Sequence, residues 1–326
     1  MAAVAPKMET MEPSVSPYAD LFGGSQGRSD PVIGTFLAKT TGELMATYTW
    51  ATEQEKPEGI IVLVHGFGEH LGRYNHVANF FTHEGFEVRG IDHLAHGLSE
   101  GFRGKRGNLT DMDHLVNNFV DFATAEVAGR DGSHYIYCHS TGGTVTFLAL
   151  EKGLREQWKR LRAVVYSAPL LRQPGCIAQP LYCCPSLALC GLSCCLQCCG
   201  TSLQVPAIDP SMVSTYEPLL SATASDALAW GGKSVNLSVI KVLLQGTRQT
   251  QKLLERPSYP FLVMVSPQDE LVSPTTAKAL YEKAVSRTKS FESDAFAGWK
   301  HELHNHKDWK KPLQMALEWL RNLDAS

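Results

Sequence analysis

The sequence predicts an α/β fold: a mostly parallel central sheet with helices on both faces and one long insertion. Three observations predict it. Short, wholly apolar runs such as Gly59–Val64 recur along the chain, as strands buried on both faces require. Segments with helical apolar spacing separate them, the alternation of a parallel sheet crossed over by helices. After Leu171 the alternation stops, and it does not resume until Phe261.

Residues 1–30 are rich in Met, Pro, Ser and Gly and lack the apolar core of a signal peptide. They read as a disordered N-terminal tail, the expected location is cytoplasmic, and the Asn-x-Ser/Thr matches at Asn108 and Asn236 read as chance. The core begins with 31–171. Val32–Leu37 and 43–50 flank Thr41-Gly42 and form a hairpin. The strand Gly59–Val64 ends in His65-Gly66-Phe67-Gly68, followed by a helix over Asn75–His83 and a strand over Phe86–Ile91. Residues 111–127 place Met112, Leu115, Val116, Phe119 and Ala123 on one helical face. Tyr135-Ile136-Tyr137 is a strand, and so is 163–166. The insertion, 172–258, is expected to be a cap or lid over the carboxyl ends of the strands, where ligands bind in open α/β sheets. The core resumes over 259–326 with a strand at 261–265, a helix at 275–284 and an edge strand at 291–296. A last helix from near Pro312 buries Leu313, Ala316, Leu317 and Leu320.

The most informative stretch is Cys138-His139-Ser140-Thr141-Gly142. It joins a strand to the apolar helix that begins at Thr144, with Ser140 at the tip of the turn. Such an elbow exposes a serine Oγ at the top of a sheet, with a helix N-terminus aimed at the reacting group. The usual form is Gly-x-Ser-x-Gly, and Cys138 stands in place of its first glycine. A literal match, Gly97-Leu98-Ser99-Glu100-Gly101, leads into Gly104 and Gly107 with no apolar period, so Ser99 reads as a loop serine.

A serine nucleophile needs a base, and the base needs an orienting acid. In chain order the acid follows the serine and the histidine comes last. Asp269 follows the late strand, with Glu270 as the alternative. Of the C-terminal histidines, His301 is the first choice and His304 the second. The backbone N–H groups of Thr141, after the serine, and Phe67, in the loop after an early strand, would form the oxyanion hole. Glu69, His70, Arg73, Asp92 and His93 are expected to hold the surrounding loops, and His139 to pack beneath the elbow. His301-Glu302-Leu303-His304 is not a zinc motif, because its histidines are three apart and not four.

These motifs carry a resemblance. His65-Gly66-Phe67-Gly68-Glu69-His70 with Gly72-Arg73-Tyr74, then Asp92-His93 with His96-Gly97-Leu98-Ser99-Glu100-Gly101, then the Ser140 elbow, resemble the monoacylglycerol lipases and related lysophospholipases. The resemblance runs from about Ile60 to Leu320. It implies an α/β-hydrolase fold with a cap, and cleavage of the single acyl ester of a monoacylglycerol or lysophospholipid with no cofactor and no metal. Carried over by motif, it puts the nucleophile at Ser140, the acid at Asp269, the base at His301 and the oxyanion donors at Phe67 and Thr141.

Composition narrows the partners. The net charge is −3, and no basic tract supports nucleic-acid binding. Eight of the nine cysteines lie between Cys176 and Cys199, and 173–208 contains no Lys, Arg, Asp, Glu or His. Disulfides need an oxidising compartment, and a lone CxxC in an apolar setting is a poor zinc sequence. Two readings remain: apolar cap packing, or a cap that touches a membrane with some cysteines S-acylated. Both suit a single-chain lipid ester as substrate, a monoacylglycerol first and a lysophospholipid second. A catalytically silent lipid-binding module is the rival from another class.

Overall fold

The computed structural model describes residues 17–18, 21–22, 29–99, 109–172, 204–205, 208–230 and 235–324. The expected cysteine cluster lies outside them.

Eight strands form one sheet. In chain order they are β1 (Val32–Leu37), β2 (Leu44–Trp50), β3 (Gly59–Val64), β4 (Phe86–Ile91), β5 (Ser133–His139), β6 (Leu161–Ser167), β9 (Phe261–Met264) and β10 (Lys289–Glu292). The two-residue strands β7 (Gln204–Val205) and β8 (Val235–Asn236) pair separately. The spatial order is β1-β2-β4-β3-β5-β6-β9-β10. β1 and β2 form the antiparallel hairpin, β2 meets β4 antiparallel, and every pair from β4 to β10 is parallel.

Strand alternation divides the core in two. Ile60, Val62 and Val64 of β3, with Ile136 and Cys138 of β5, face one layer; Ile61, Leu63, Tyr135 and Tyr137 face the other. The first layer is covered by α2 (Met112–Phe122), α3 (Thr141–Ala149), α5 (Leu237–Gln251) and α6 (Pro274–Lys283). The second is covered by α1 (Asn75–His83) and α7 (Lys310–Asp324). The central strands are apolar along their middles because both faces are buried there.

Three expectations change. The strand expected over 291–296 stops at Glu292, and a 3₁₀ turn at Asp294–Phe296 swings Phe296 into the second layer. The insertion is not all cap: Val239, Val242 and Leu243 of α5 belong to the first core layer, and Thr250 Oγ donates to Leu171 O at 3.0 Å. Gly246 lets α5 come close, since a Cβ there would lie 2.6 Å from Met112 Cε and 2.9 Å from Thr144 Cγ2. The expected tail is not all free of the fold. Tyr18 and Phe22 are buried against Leu219 and Ala222 of α4 (Glu217–Ser225), and Phe22 stacks on His76 at 3.9 Å.

Candidate active site

β5 ends at His139 and α3 begins at Thr141, so Ser140 alone makes the turn between them, at φ +50° and ψ −117°. This is an unfavourable backbone for a residue with a Cβ, and it persists only where the surroundings hold it. Ser140 N–H donates to Ser167 O at 3.1 Å, and Ser140 C=O accepts from Leu170 N–H at 2.9 Å. The elbow therefore hangs from the end of β6. Gly142 allows α3 to start against β3: a Cβ there would sit 2.3 Å from Val64 O. Cys138 is wholly buried, with Sγ 3.4 Å from Val165 O, and burial pushes its thiol pKa up. It packs as a small neutral side chain.

Asp269 lies in the loop after β9, and its Oδ2 is 2.7 Å from His301 Nδ1. A carboxylate only accepts, so His301 donates from Nδ1 and its Nε2 carries the lone pair. Asp269 Oδ1 accepts from Leu271 N–H at 2.8 Å and Val272 N–H at 3.0 Å. Burial raises the Asp269 pKa, but His301 and the two N–H groups outweigh it and hold the carboxyl below its usual range. Burial opposes charge on His301; Asp269, Glu302 and Glu69 outweigh it and raise the ring's pKa. The alternatives sit elsewhere. Glu270 is exposed and pairs with Lys300 at 2.5 Å. His304 is buried, stacks on Tyr74 at 4.6 Å and is held well below the usual histidine value by burial. Ser140 and His301 line one cavity, and among the described residues no hydrogen bond joins Ser140 Oγ to the ring. Such bonds tighten when substrate binds.

The proposed oxyanion donors are backbone groups. The Gly66–Phe67 peptide is aimed by His65, whose Nδ1 lies 2.8 Å from Gly66 O. His65 Nε2 accepts from His93 N–H at 2.9 Å, so the proton is on Nδ1. Burial lowers the His65 pKa well below the usual value, which keeps that neutral tautomer. In a trans peptide C=O and N–H point opposite ways, so fixing Gly66 O directs Phe67 N–H away from His65. Glu69 Oε1 accepts from Gly66 N–H at 2.5 Å and Tyr74 OH at 2.8 Å. Ser99 has a different task. Its Oγ accepts from Ala46 N–H and donates to Asp92 O, tying β2 to the loop after β4.

The sequence profile of the family described as "Serine aminopeptidase, S33" matches residues 55–308. The chain belongs to that family of hydrolases. Within it, the chain is 26% identical over 282 residues to the monoacylglycerol lipase of Mycolicibacterium smegmatis, covering 86% of this chain and 94% of that protein. It is 26% identical over 293 residues to an abhydrolase domain-containing protein of Dictyostelium discoideum, and there it spans 28% of the relative's length. The fold matches a soluble variant of the Saccharomyces cerevisiae monoglyceride lipase with a TM-score of 0.76 at 16% identity, over 93% of this chain and 98% of that one. The chain is an α/β-hydrolase with lipases among its relatives.

The S33 frame leaves several side chains that sequence reasoning missed. Glu302, considered only within the rejected zinc pattern, grips Arg73 through Nη1 at 3.0 Å and Nη2 at 2.9 Å. Arg73 Nη1 also donates to Glu69 Oε2 at 2.8 Å. All three are buried and line the cavity. Asp226, in the insertion, accepts from His70 Nε2 at 2.7 Å and from Tyr18 OH at 2.9 Å. The available signal was that a buried Arg or His needs an acceptor, and 65–74 alone could not supply enough of them.

Proposed function

We propose that the protein hydrolyses the acyl ester of a monoacylglycerol to fatty acid and glycerol. Carboxylic ester hydrolysis is the coarse activity that the family and its lipase and esterase relatives support. The observation that carries the finer reading is the cavity where Ser140 and His301 meet. Its lining combines apolar Val213, Leu219, Leu220 and Leu271 with polar Glu69, Arg73 and Glu302. A lining of both kinds suits a substrate that joins an acyl chain to a polyol.

In this reading Ser140 Oγ attacks the ester carbon while His301 Nε2 takes its proton. The Phe67 and Thr141 N–H groups receive the oxyanion; losing one such donor typically costs about 3–4 kcal/mol. Among the described residues neither N–H has an acceptor within the protein. His301 then protonates the departing glycerol oxygen, leaving an acyl ester on Ser140. Water, deprotonated by the same ring, attacks that ester, releases the fatty acid and restores the serine. Asp269 stays ionised and stabilises the imidazolium.

Lysophospholipids would use the same machinery with a phosphate in the head group. Arg73, the arginine in the lining, already has its Nη1 and Nη2 on Glu69 and Glu302. An anionic phosphate there would face two carboxylates beside one guanidinium whose Nε alone lacks a partner among the described residues, which favours a neutral head. We read the part of the insertion that lines the cavity as a cap. We also propose a peripheral bilayer contact through the charge-free 173–208, with the protein cytoplasmic.

The test is a side-by-side panel of monoacylglycerols and lysophospholipids, with wild-type and Ser140→Ala protein and a fluorophosphonate label. Wild type should label and cleave monoacylglycerol, and the variant should do neither. Labelling with lysophospholipid cleavage alone would replace the substrate. No labelling and no turnover would leave a silent lipid-binding module.

A further inference from the structure

Phe67, the proposed oxyanion donor, sits between Gly66 and Gly68, and Gly68 adopts φ +72°. Glycines on both sides give the loop freedom that local backbone preference does not remove. External contacts must therefore hold the donor in place. The core holds the front of the loop through His65 and Glu69. The back is held from the insertion.

Trp230 N–H donates to Gly68 O at 2.8 Å. The Trp230 ring meets Phe67 edge to face at 4.6 Å and lies 4.7 Å from His96. Four residues earlier, Asp226 Oδ2 accepts a hydrogen bond from His70 Nε2–H at 2.7 Å, with Gly72 N–H donating to His70 Nδ1 and fixing that tautomer. Asp226 Oδ1 accepts Leu228 N–H at 2.8 Å, which folds 226–230 back onto the loop. The insertion thus grips the loop at Gly68 and at His70, on either side of Glu69. The Trp230 ring is held by packing: its Nε1 and His96 Nε2 are buried and have no hydrogen-bond partner among the described residues.

Resting on the esterase reading above, we propose that Trp230, assisted by Asp226, is a positioning residue for the Phe67 oxyanion donor. Seating of the insertion then sets the donor's alignment as well as covering the cavity. A misaligned donor weakens only the oxyanion, which exists in the transition state and not in the bound ester. The effect belongs in kcat and not in KM.

The experiment is steady-state hydrolysis of a short soluble ester, p-nitrophenyl butyrate, by the full chain. Trp230→Ala should lower kcat by between about tenfold and about a hundredfold with KM within about twofold. Trp230→Phe keeps a ring against Phe67 and should restore most of the rate. Asp226→Asn, which spares the aromatic contact, should also lower kcat selectively. Binding of a trifluoromethyl ketone, whose serine adduct carries an oxyanion, should weaken in parallel with kcat. In the Phe67→Ala background Trp230→Ala should add little, because the ring contact is already gone. Unchanged kcat in Trp230→Ala, a loss confined to KM, or additive single effects would overturn the proposal. Should Trp230→Ala fail to fold, an unchanged kcat in Asp226→Asn would overturn it equally. A wild-type protein with no turnover and no fluorophosphonate labelling would instead remove the esterase reading, and the clamp with it.

Discussion

Ser99 and Ser140 both follow parallel strands, and their bonding separates them. The Ser99 hydroxyl is spent on Ala46 N–H and Asp92 O. The Ser140 backbone is tied at both its N–H and its C=O, which leaves the side chain to the cavity. Ser140→Ala should therefore lower ester turnover by about 10⁴-fold or more with the fold intact. Ser99→Ala should keep most activity and lose about 1–3 kcal/mol of stability, because it orphans the buried Ala46 N–H. Thermal melts and turnover on both variants check this; an inactive Ser99→Ala beside an active Ser140→Ala would reverse the assignment. The proposed base, His301, adds a pH signature. With its pKa raised, the His301 ring keeps its proton to a higher pH than an ordinary histidine, and a protonated ring cannot take the serine proton. The rate kcat/KM should fall as pH drops through that raised value. Asp269→Asn removes the largest raising influence, so the acid limb should move to lower pH while the rate falls. A limb that does not move would detach Asp269 from His301. That Ser140, Asp269 and His301 come together was legible, because chain order and strand ends encode their places locally. Glu302 and Asp226 were not: their partners, Arg73 and His70, lie 229 and 156 residues away, and no local pattern announces the pairing.

The elements that place these residues were legible where burial is two-sided. β3 and β9 are apolar throughout, and β5 and β6 are apolar over 135–138 and 163–166, because helices cover both faces, and the sequence shows this directly. The insertion was not, because α5 has an ordinary amphipathic period and only tertiary contact puts it on α2 and α3. At the elbow, the space between α3 and β3 is set by Gly142. A methyl group there would press into Val64 O and His65 O, both backbone atoms, so relief requires the helix to move. Gly142→Ala should therefore lower both the melting temperature and turnover, since the helix carries the proposed Thr141 donor at its first residue. Cys138→Gly is the contrasting variant. It restores the usual elbow glycine and removes a small buried side chain, so it should stay active at a cost of about 1 kcal/mol. Circular dichroism melts with parallel turnover on the two proteins distinguish them; a Gly142→Ala protein that melts and turns over like wild type would mean the close approach is not required.

At the scale of the whole molecule, the question is how an esterase of this fold would reach the proposed monoacylglycerol substrate, which dissolves in a bilayer. Among the described residues no helix is long and apolar enough to cross a membrane. The strongest sequence feature bearing on this is 173–208, with no charged residue or histidine and eight cysteines. It lies in the same insertion that supplies Val213, Leu219 and Leu220 to the cavity and Trp230 to the loop beneath it. Acylated cysteines would add about 0.8 kcal/mol of attachment per buried methylene. The full-length protein is predicted to float with liposomes of neutral phospholipid, and more strongly when isolated from cells that S-acylate it. Changing the eight cysteines to serine should reduce flotation and lower turnover of monoacylglycerol presented in those liposomes. Hydrolysis of p-nitrophenyl butyrate should stay as it was, because that ester needs no surface. Wild-type protein that stays wholly in the aqueous fraction, with the cysteine variant matching it on liposomal monoacylglycerol, would reduce the cluster to apolar packing.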